Sequence, residues 1–118
     1  MYKRQDLPRG VYADWKRWCS FPNYFFDDPL VRDEMEEKFA QVEVPVVGVN
    51  SVDDLWAGEA ASRAFLTHYP NHDLRMVRPA EVGVPAIGHM GYMRPKCEPL
   101  WVDMVAWFEE RLRARSSN

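Results

Sequence analysis

The sequence predicts an α/β fold with a parallel sheet, truncated so that it holds the last two parallel strands of a larger sheet with their flanking helices. Three observations carry this. From residue 29 onward, helix-like and strand-like stretches alternate, the pattern of a layered parallel fold rather than of a sandwich or a bundle. Val42 to Asn50 is nearly all apolar and rich in β-branched residues, as expected of a strand covered on both faces. Only two strands are legible, too few for a stable sheet on their own.

The chain opens on MYKRQ, which does not read like the start of a domain. It back-translates to GTG-TAT-AAG-AGA-CAG, which resembles the transposon end used in preparing sequencing libraries. Residues 1–5 are therefore expected to be a cloning or assembly scar, with coding sequence from Asp6; a true start with a short basic tail is the alternative. Residues 6–41 form an aromatic-rich, cap-like segment followed by a helix. Tyr12, Trp15 and either Trp18 or Cys19 are spaced like one face of a short helix. Pro22 and Pro29 then bound an irregular stretch holding Tyr24, Phe25 and Phe26, which reads equally as a lid over a pocket or as core filling. Asp28-Pro29 reads as an N-cap with proline at the first helical position, opening a helix to about Gln41.

Residues 42–118 form the sheet-bearing part. After the strand at 42–50 comes a turn from Ser51 to Trp56, then a helix-like stretch from Gly58 to Tyr69 ended by Pro70. Asp73 to Arg78 alternates polar and apolar residues, so a half-exposed strand is expected there. Ala80 to Pro95 is punctuated by glycine and proline and reads as loop. Glu98 to Arg115 has an apolar stripe (Leu100 or Trp101, Met104 or Val105, Phe108, Leu112) and basic residues near its end, marking an amphipathic helix.

Composition bounds the function classes. At 118 residues the chain is at most one domain. A net charge of −3 gives no basic footprint for nucleic acid or an anionic membrane. No stretch is apolar enough to span a bilayer or serve as a signal-peptide core, so a cytoplasmic protein is expected. Cys19 and Cys97 lack metal-ligand spacing and read as reduced thiols, with a disulfide as the alternative. His68 and His72 have the spacing of helical zinc ligands, but Pro70 between them breaks the helix. No metal and no cofactor is expected. Aromatic residues make up 14% of the chain, including five tryptophans, which points to a large apolar pocket or a large interface.

The chemistry lies in two loops. Asp53 and Asp54 follow the first strand in VPVVGVNSVDDLW, and His89 follows the second in AIGHMGYMRP. Ligands of open α/β sheets bind beyond the carboxyl ends of strands. An acid there, then a histidine one helix and one strand later, is the back half of a Ser…Asp…His order. In that chemistry the histidine takes the proton of a nucleophile while the carboxylate holds its tautomer and stabilises the imidazolium. Asp54 is read as the catalytic acid and His89 as the base. Asp53 is expected to face solvent or cap the following helix, because adjacent carboxylates repel. Taken singly, Asp54 reads as a helix cap and His89 as a structural loop histidine; their order and placement favour the catalytic reading. Trp56 and Tyr92 are assigned to substrate binding, and Arg94 reads as a surface arginine or as an anchor for an anionic substrate. No G-x-S-x-G occurs, and none of Ser20, Ser51, Ser62, Ser116 and Ser117 has the context of a nucleophile elbow.

PVVGVNSVDDLWAG resembles the strand and acid turn of the α/β-hydrolase superfamily, and GHMGYMRP resembles its histidine loop. With the upstream DWKRWC, the chain is similar from Asp6 onward to the C-terminal part of a bacterial branch of predicted α/β hydrolases. The resemblance implies Asp54 as triad acid, His89 as triad base and the Trp-rich segment as cap or pocket wall. The nucleophile elbow, the oxyanion-hole loop and most of the central sheet have no counterpart here, and Ser51 stands where many relatives carry glycine. The implied parent is a serine hydrolase acting on a small-molecule ester, thioester or amide through an acyl-enzyme. This chain alone is expected to be nearly inactive and to self-associate through an exposed strand edge. The alternatives are a small non-enzymatic binding domain and a pseudo-hydrolase that lost its serine.

Overall fold

Prolines and buried polar groups decide where the elements begin. The computed structural model describes residues 7–117, so the reading of residues 1–5 as a scar lies outside the described residues. In chain order the elements are α1 (Arg9–Cys19), a 3-10 turn (Tyr24–Asp27), α2 (Arg32–Ala40), β1 (Val46–Ser51), α3 (Glu59–Leu66) and β2 (His72–Val77). Three further 3-10 turns (Pro79–Val82, Gly91–Met93, Pro95–Cys97) lead into α4 (Glu98–Ser116). β1 and β2 pair in a two-stranded sheet. Val46 N–H donates to Asn71 O and Val52 N–H to Val77 O; both partners advance by the same step in the same direction, so the strands are parallel. The class is therefore α/β in its coarse sense, with α3 as the crossover.

Several expected boundaries move for identifiable reasons. β1 starts at Val46 rather than Val42, because Pro45 offers no N–H to a ladder. It is not covered on both faces: Val46 to Val49 are half-buried, and only Asn50 and Ser51 are buried. α2 starts at Arg32, with Val31 in the capping position, so neither Asp27 nor Asp28 caps it. Asp27 instead accepts from the Asn23 backbone and side-chain amides at 2.8 and 3.2 Å. The long loop expected after β2 is wound into short 3-10 turns at its two ends and is irregular between them, from Gly83 to Met90.

The described residues divide into two compact units, 7–46 with 64–72, and 47–63 with 73–117. The division differs from the expected boundary at 41, because residues 64–72 contribute their aromatic side chains to the first unit. There Phe26, 4% exposed, sits edge-on to Phe39 and lies flat on His68 at 3.4 Å between ring centroids. Phe65 and Tyr69 complete the ring cluster around Phe39. So Phe26 fills a core, whereas α1 buries none of its residues and leaves Tyr12 and Trp15 half-exposed. Buried Asp28 ties α1 to this segment. Its carboxylate accepts two bonds from the Arg17 guanidinium at 2.9 Å, one from the Trp18 indole at 3.0 Å and one from Leu30 N–H at 3.0 Å. These bonds, Arg17's first, hold the Asp28 carboxyl far below the usual aspartate range.

The second unit is built on Val77, Val84, Ile87, Cys97 and Leu100, with Val49, Val82, Tyr92 and Met104 packed against them. α4 buries only Leu100. The expected stripe is covered at its first turns alone: Val105, Phe108 and Leu112 remain more than half exposed. Beside it runs a groove of about 280 Å³ lined by Val47, Val49, Leu100, Met104, Trp107 and Phe108, with the Arg75–Asp103 ion pair at its edge. Among the described residues no helix is long and apolar enough to cross a membrane. Cys19 is exposed, Cys97 buried, and both are free thiols.

Candidate functional site

β1 ends by burying two polar residues, and everything at the site hangs on that end. Asn50 and Ser51 are 8% and 1% exposed, and a buried polar group must find partners. The Asn50 amide donates to Ala57 O and to Ser62 Oγ. Its oxygen accepts from Ser51 N–H at 3.0 Å and from the Tyr92 hydroxyl at 2.6 Å. The backbone then turns, with Asp54 N–H donating to Ser51 O at 3.1 Å, and presents two carboxylates to different places.

Asp54 is buried, 5% exposed. One carboxylate oxygen accepts from Trp56 N–H at 2.9 Å and Ala57 N–H at 3.1 Å, a local Asx-type turn that fixes the side chain. The other oxygen lies 2.9 Å from His89 Nδ1. Burial presses the Asp54 carboxyl upward, but the bonds from His89 and from the two amides outweigh it and hold it below the ordinary aspartate value of 3.8. An ionised carboxylate only accepts hydrogen bonds, so Nδ1 carries the proton and donates it to Asp54. Nε2 is then the basic nitrogen. The His89 side chain is 43% exposed, which leaves it accessible. Asp54 and His89, paired from sequence, are thus in direct contact.

Asp53 does not face solvent or cap α3, as was expected from repulsion between neighbouring acids. Its carboxylate accepts from Ile87 N–H at 3.0 Å and Gly88 N–H at 2.9 Å, and from the Ser51 hydroxyl. The Ser51 bond first, then those two amides, hold this carboxyl below its ordinary value as well. Repulsion is avoided because each acid has its own set of donors. Gly88 sits at φ 64°, the left-handed region where a side chain is disfavoured, and this turn carries the chain into His89.

The remaining candidates fall as follows. Trp56 is 84% exposed, with its ring centroid 5.1 Å from that of the His89 ring, so an exposed indole stands beside the imidazole. Tyr92, assigned to substrate binding, is half-buried and spends its hydroxyl inside the protein: it donates to Asn50 and accepts from Ser51 N–H at 2.8 Å. Its carbonyl accepts from the Trp101 indole at 2.6 Å, linking the histidine loop to α4. Tyr92 therefore braces the site. Ser51 is buried and bonded to Asp53, away from the imidazole's role. Arg94 is exposed. His68 is stacked on Phe26 and His72 Nδ1 contacts Tyr69 O; among the described residues no three His, Cys, Asp or Glu side chains converge as metal ligands. Sequence reasoning missed Asn50 and the clamp made by Asp53. The available signal for Asn50 was a lone amide ending an apolar strand.

Comparison with protein families, curated proteins and solved structures returned no match.

Proposed function

We propose that this chain carries the acid–base pair of a serine hydrolase of the α/β-hydrolase type, acting on small-molecule esters, thioesters or amides. One observation carries the reading: a buried, doubly anchored carboxylate just past the end of β1, 2.9 Å from Nδ1 of a partly exposed histidine in the long loop that follows β2. In this mechanism a serine hydroxyl, contributed by a segment outside these 118 residues, attacks the substrate carbonyl while its proton passes to His89 Nε2. Asp54 stays ionised and stabilises the imidazolium. The imidazolium returns its proton to the leaving alcohol, thiol or amine, and a water activated by the same nitrogen cleaves the acyl-enzyme. Trp56 walls the substrate side of the imidazole. Without a nucleophile elbow or oxyanion donors, the chain on its own is expected to be nearly inactive, since one such donor alone is worth roughly a hundredfold or more in rate.

The test begins with the source DNA upstream of the Asp6 codon. An in-frame extension with G-x-S-x-G between a strand and a helix, expressed with this chain, should react with a fluorophosphonate probe. That labelling should vanish in His89→Ala and fall steeply in Asp54→Asn. An extension without an elbow, or labelling indifferent to His89→Ala, would sink the proposal.

A further inference from the structure

We propose that Asp53 is a positioning residue for His89: through the Ile87 and Gly88 amides it locks the loop that delivers the imidazole to Asp54. The inference rests on the hydrolase reading for its functional meaning, but its geometry stands apart from it. Asp53 and Asp54 leave the same turn and divide the histidine loop between them. Asp54 takes the ring, at 2.9 Å from Nδ1. Asp53 takes the backbone immediately before the ring, at 3.0 and 2.9 Å from successive N–H groups. Successive amides converging on one anion form the concavity in which proteins bind phosphates and carboxylates; here the anion is the protein's own.

The arrangement is specific to the left-handed turn at Gly88. If Gly88 relaxed to negative φ, the peptide bearing His89 would rotate away from the two amides that Asp53 holds. A ring held only by Asp54 would keep several orientations; a ring whose backbone is also held keeps one. Asp53 remains ionised throughout the range in which an imidazole titrates, because its donors hold its carboxyl low. A neutral amide at position 53 would present one acceptor where the loop now finds a charged pair of oxygens, and its NH₂ would face backbone donors.

The experiment uses the 15N-labelled 118-residue chain and long-range 1H–15N spectra of the imidazoles, with His89→Gln to assign the signal. In the parent chain the Nδ1–H form of His89 should dominate. Asp53→Asn should shift it toward the Nε2–H form by at least fivefold while Asp54 is untouched, and Gly88 amide exchange should accelerate by a similar factor. Asp54→Asn should also release the tautomer but leave Gly88 protected, which separates the two roles. A merely structural Asp53 would lower the melting temperature and leave the tautomer fixed; that result overturns the inference and leaves the hydrolase reading standing. A parent chain with no Nδ1–H preference would overturn both. If Asp53→Asn does not fold, hydrogen exchange of the parent at low concentration decides: Ile87 and Gly88 must be protected relative to Met90, and free exchange refutes the clamp.

Discussion

Gly83 and Gly88 form a matched pair for testing whether the histidine loop is set by its backbone. Both have positive φ, 72° and 64°, and a Cβ added at either meets nothing within 4 Å. Steric crowding is therefore absent, and an alanine at either position is penalised by backbone strain alone, about 1–2 kcal/mol. Lower entropy of the unfolded chain offsets part of this, leaving a net destabilisation of about 1 kcal/mol, or a fall of about 4 °C in melting temperature. The two variants should thus match in stability. They should differ at the site. Gly83 N–H closes a short turn onto Ala80 O, remote in its bonding from the imidazole, whereas Gly88 N–H binds Asp53 and the next residue is His89.

Strain at position 88 has an escape that strain at position 83 lacks. Rotating Gly88→Ala to negative φ relieves about 1 kcal/mol by undocking the ring, which lowers the ratio of docked to undocked His89 about fivefold. Long-range 1H–15N spectra resolve this directly, since the chain has only three histidines. Gly83→Ala should leave the Nδ1–H signal of His89 unchanged while matching Gly88→Ala in melting temperature. The reasoning fails if Gly83→Ala undocks the ring equally, or if Gly88→Ala alters neither stability nor tautomer.

Acid should unfold the chain through its carboxylates. Asp28, Asp53 and Asp54 are all held below the ordinary value in the folded state, so the stability they contribute is complete above the unfolded value near 3.8 and is lost as pH falls through the folded values. Urea midpoints should be level from pH 7 to 5 and drop below pH 4; a midpoint rising between pH 4 and 2 refutes this. Leu100→Ala, at a site 1% exposed, should destabilise by about 2–5 kcal/mol. Leu112→Ala, 63% exposed, should stay within about 0.5 kcal/mol in urea titration; a loss above about 2 kcal/mol would mean that α4's outer face is buried in solution. Trp56→Ala should also change stability by less than about 0.5 kcal/mol yet move the His89 ring resonances, because the ring centroids lie 5.1 Å apart; unmoved resonances place the indole elsewhere in solution. Tyr92→Phe should destabilise by about 1 kcal/mol in urea titration. The loss is small because Ser51 N–H and the Asn50 oxygen still bond to each other at 3.0 Å; a loss above about 3 kcal/mol would mean that one of them is orphaned.

What was legible in the sequence is what local patterning controls. Alternation of apolar runs with turn residues marked β1, β2 and α4, and an acid after one strand with a histidine in the loop following the next made Asp54 and His89 a pair before any geometry was known. What was illegible depends on partners distant in the chain. Asp28 resembles an N-cap because Pro29 follows it, and only the folded chain brings Arg17 and Trp18 onto its carboxylate. Asp53 resembles a solvent-facing neighbour of Asp54 because its donors lie 34 and 35 residues away. Tyr92 resembles a ligand-facing aromatic beside a histidine, and nothing local reports that its hydroxyl reaches back to Asn50. The apolar stripe of α4 predicts burial correctly at Leu100, but periodicity states only which residues share a face. Whether a partner covers that face is a tertiary fact.

The two halves of the site are therefore held by different physics. The acid half is local: Asp54 is fixed by amides two and three residues ahead of it, so the turn needs little of the fold to exist. The histidine half is held at range by three anchors, the Asp53 clamp, the Tyr92 hydroxyl and the Trp101 bond to Tyr92 O. Those anchors stand on a core cluster of five buried residues, two of which, Ile87 and Cys97, flank the loop itself. Loosening that core should release the imidazole before it disturbs the acid, which hydrogen exchange would show as loss of protection at Gly88 ahead of Trp56 and Ala57. A hydrolase assembled this way would lose its base while keeping its carboxylate in place, which is why the tautomer of His89, rather than the environment of Asp54, is the sensitive reporter of whether the site is intact.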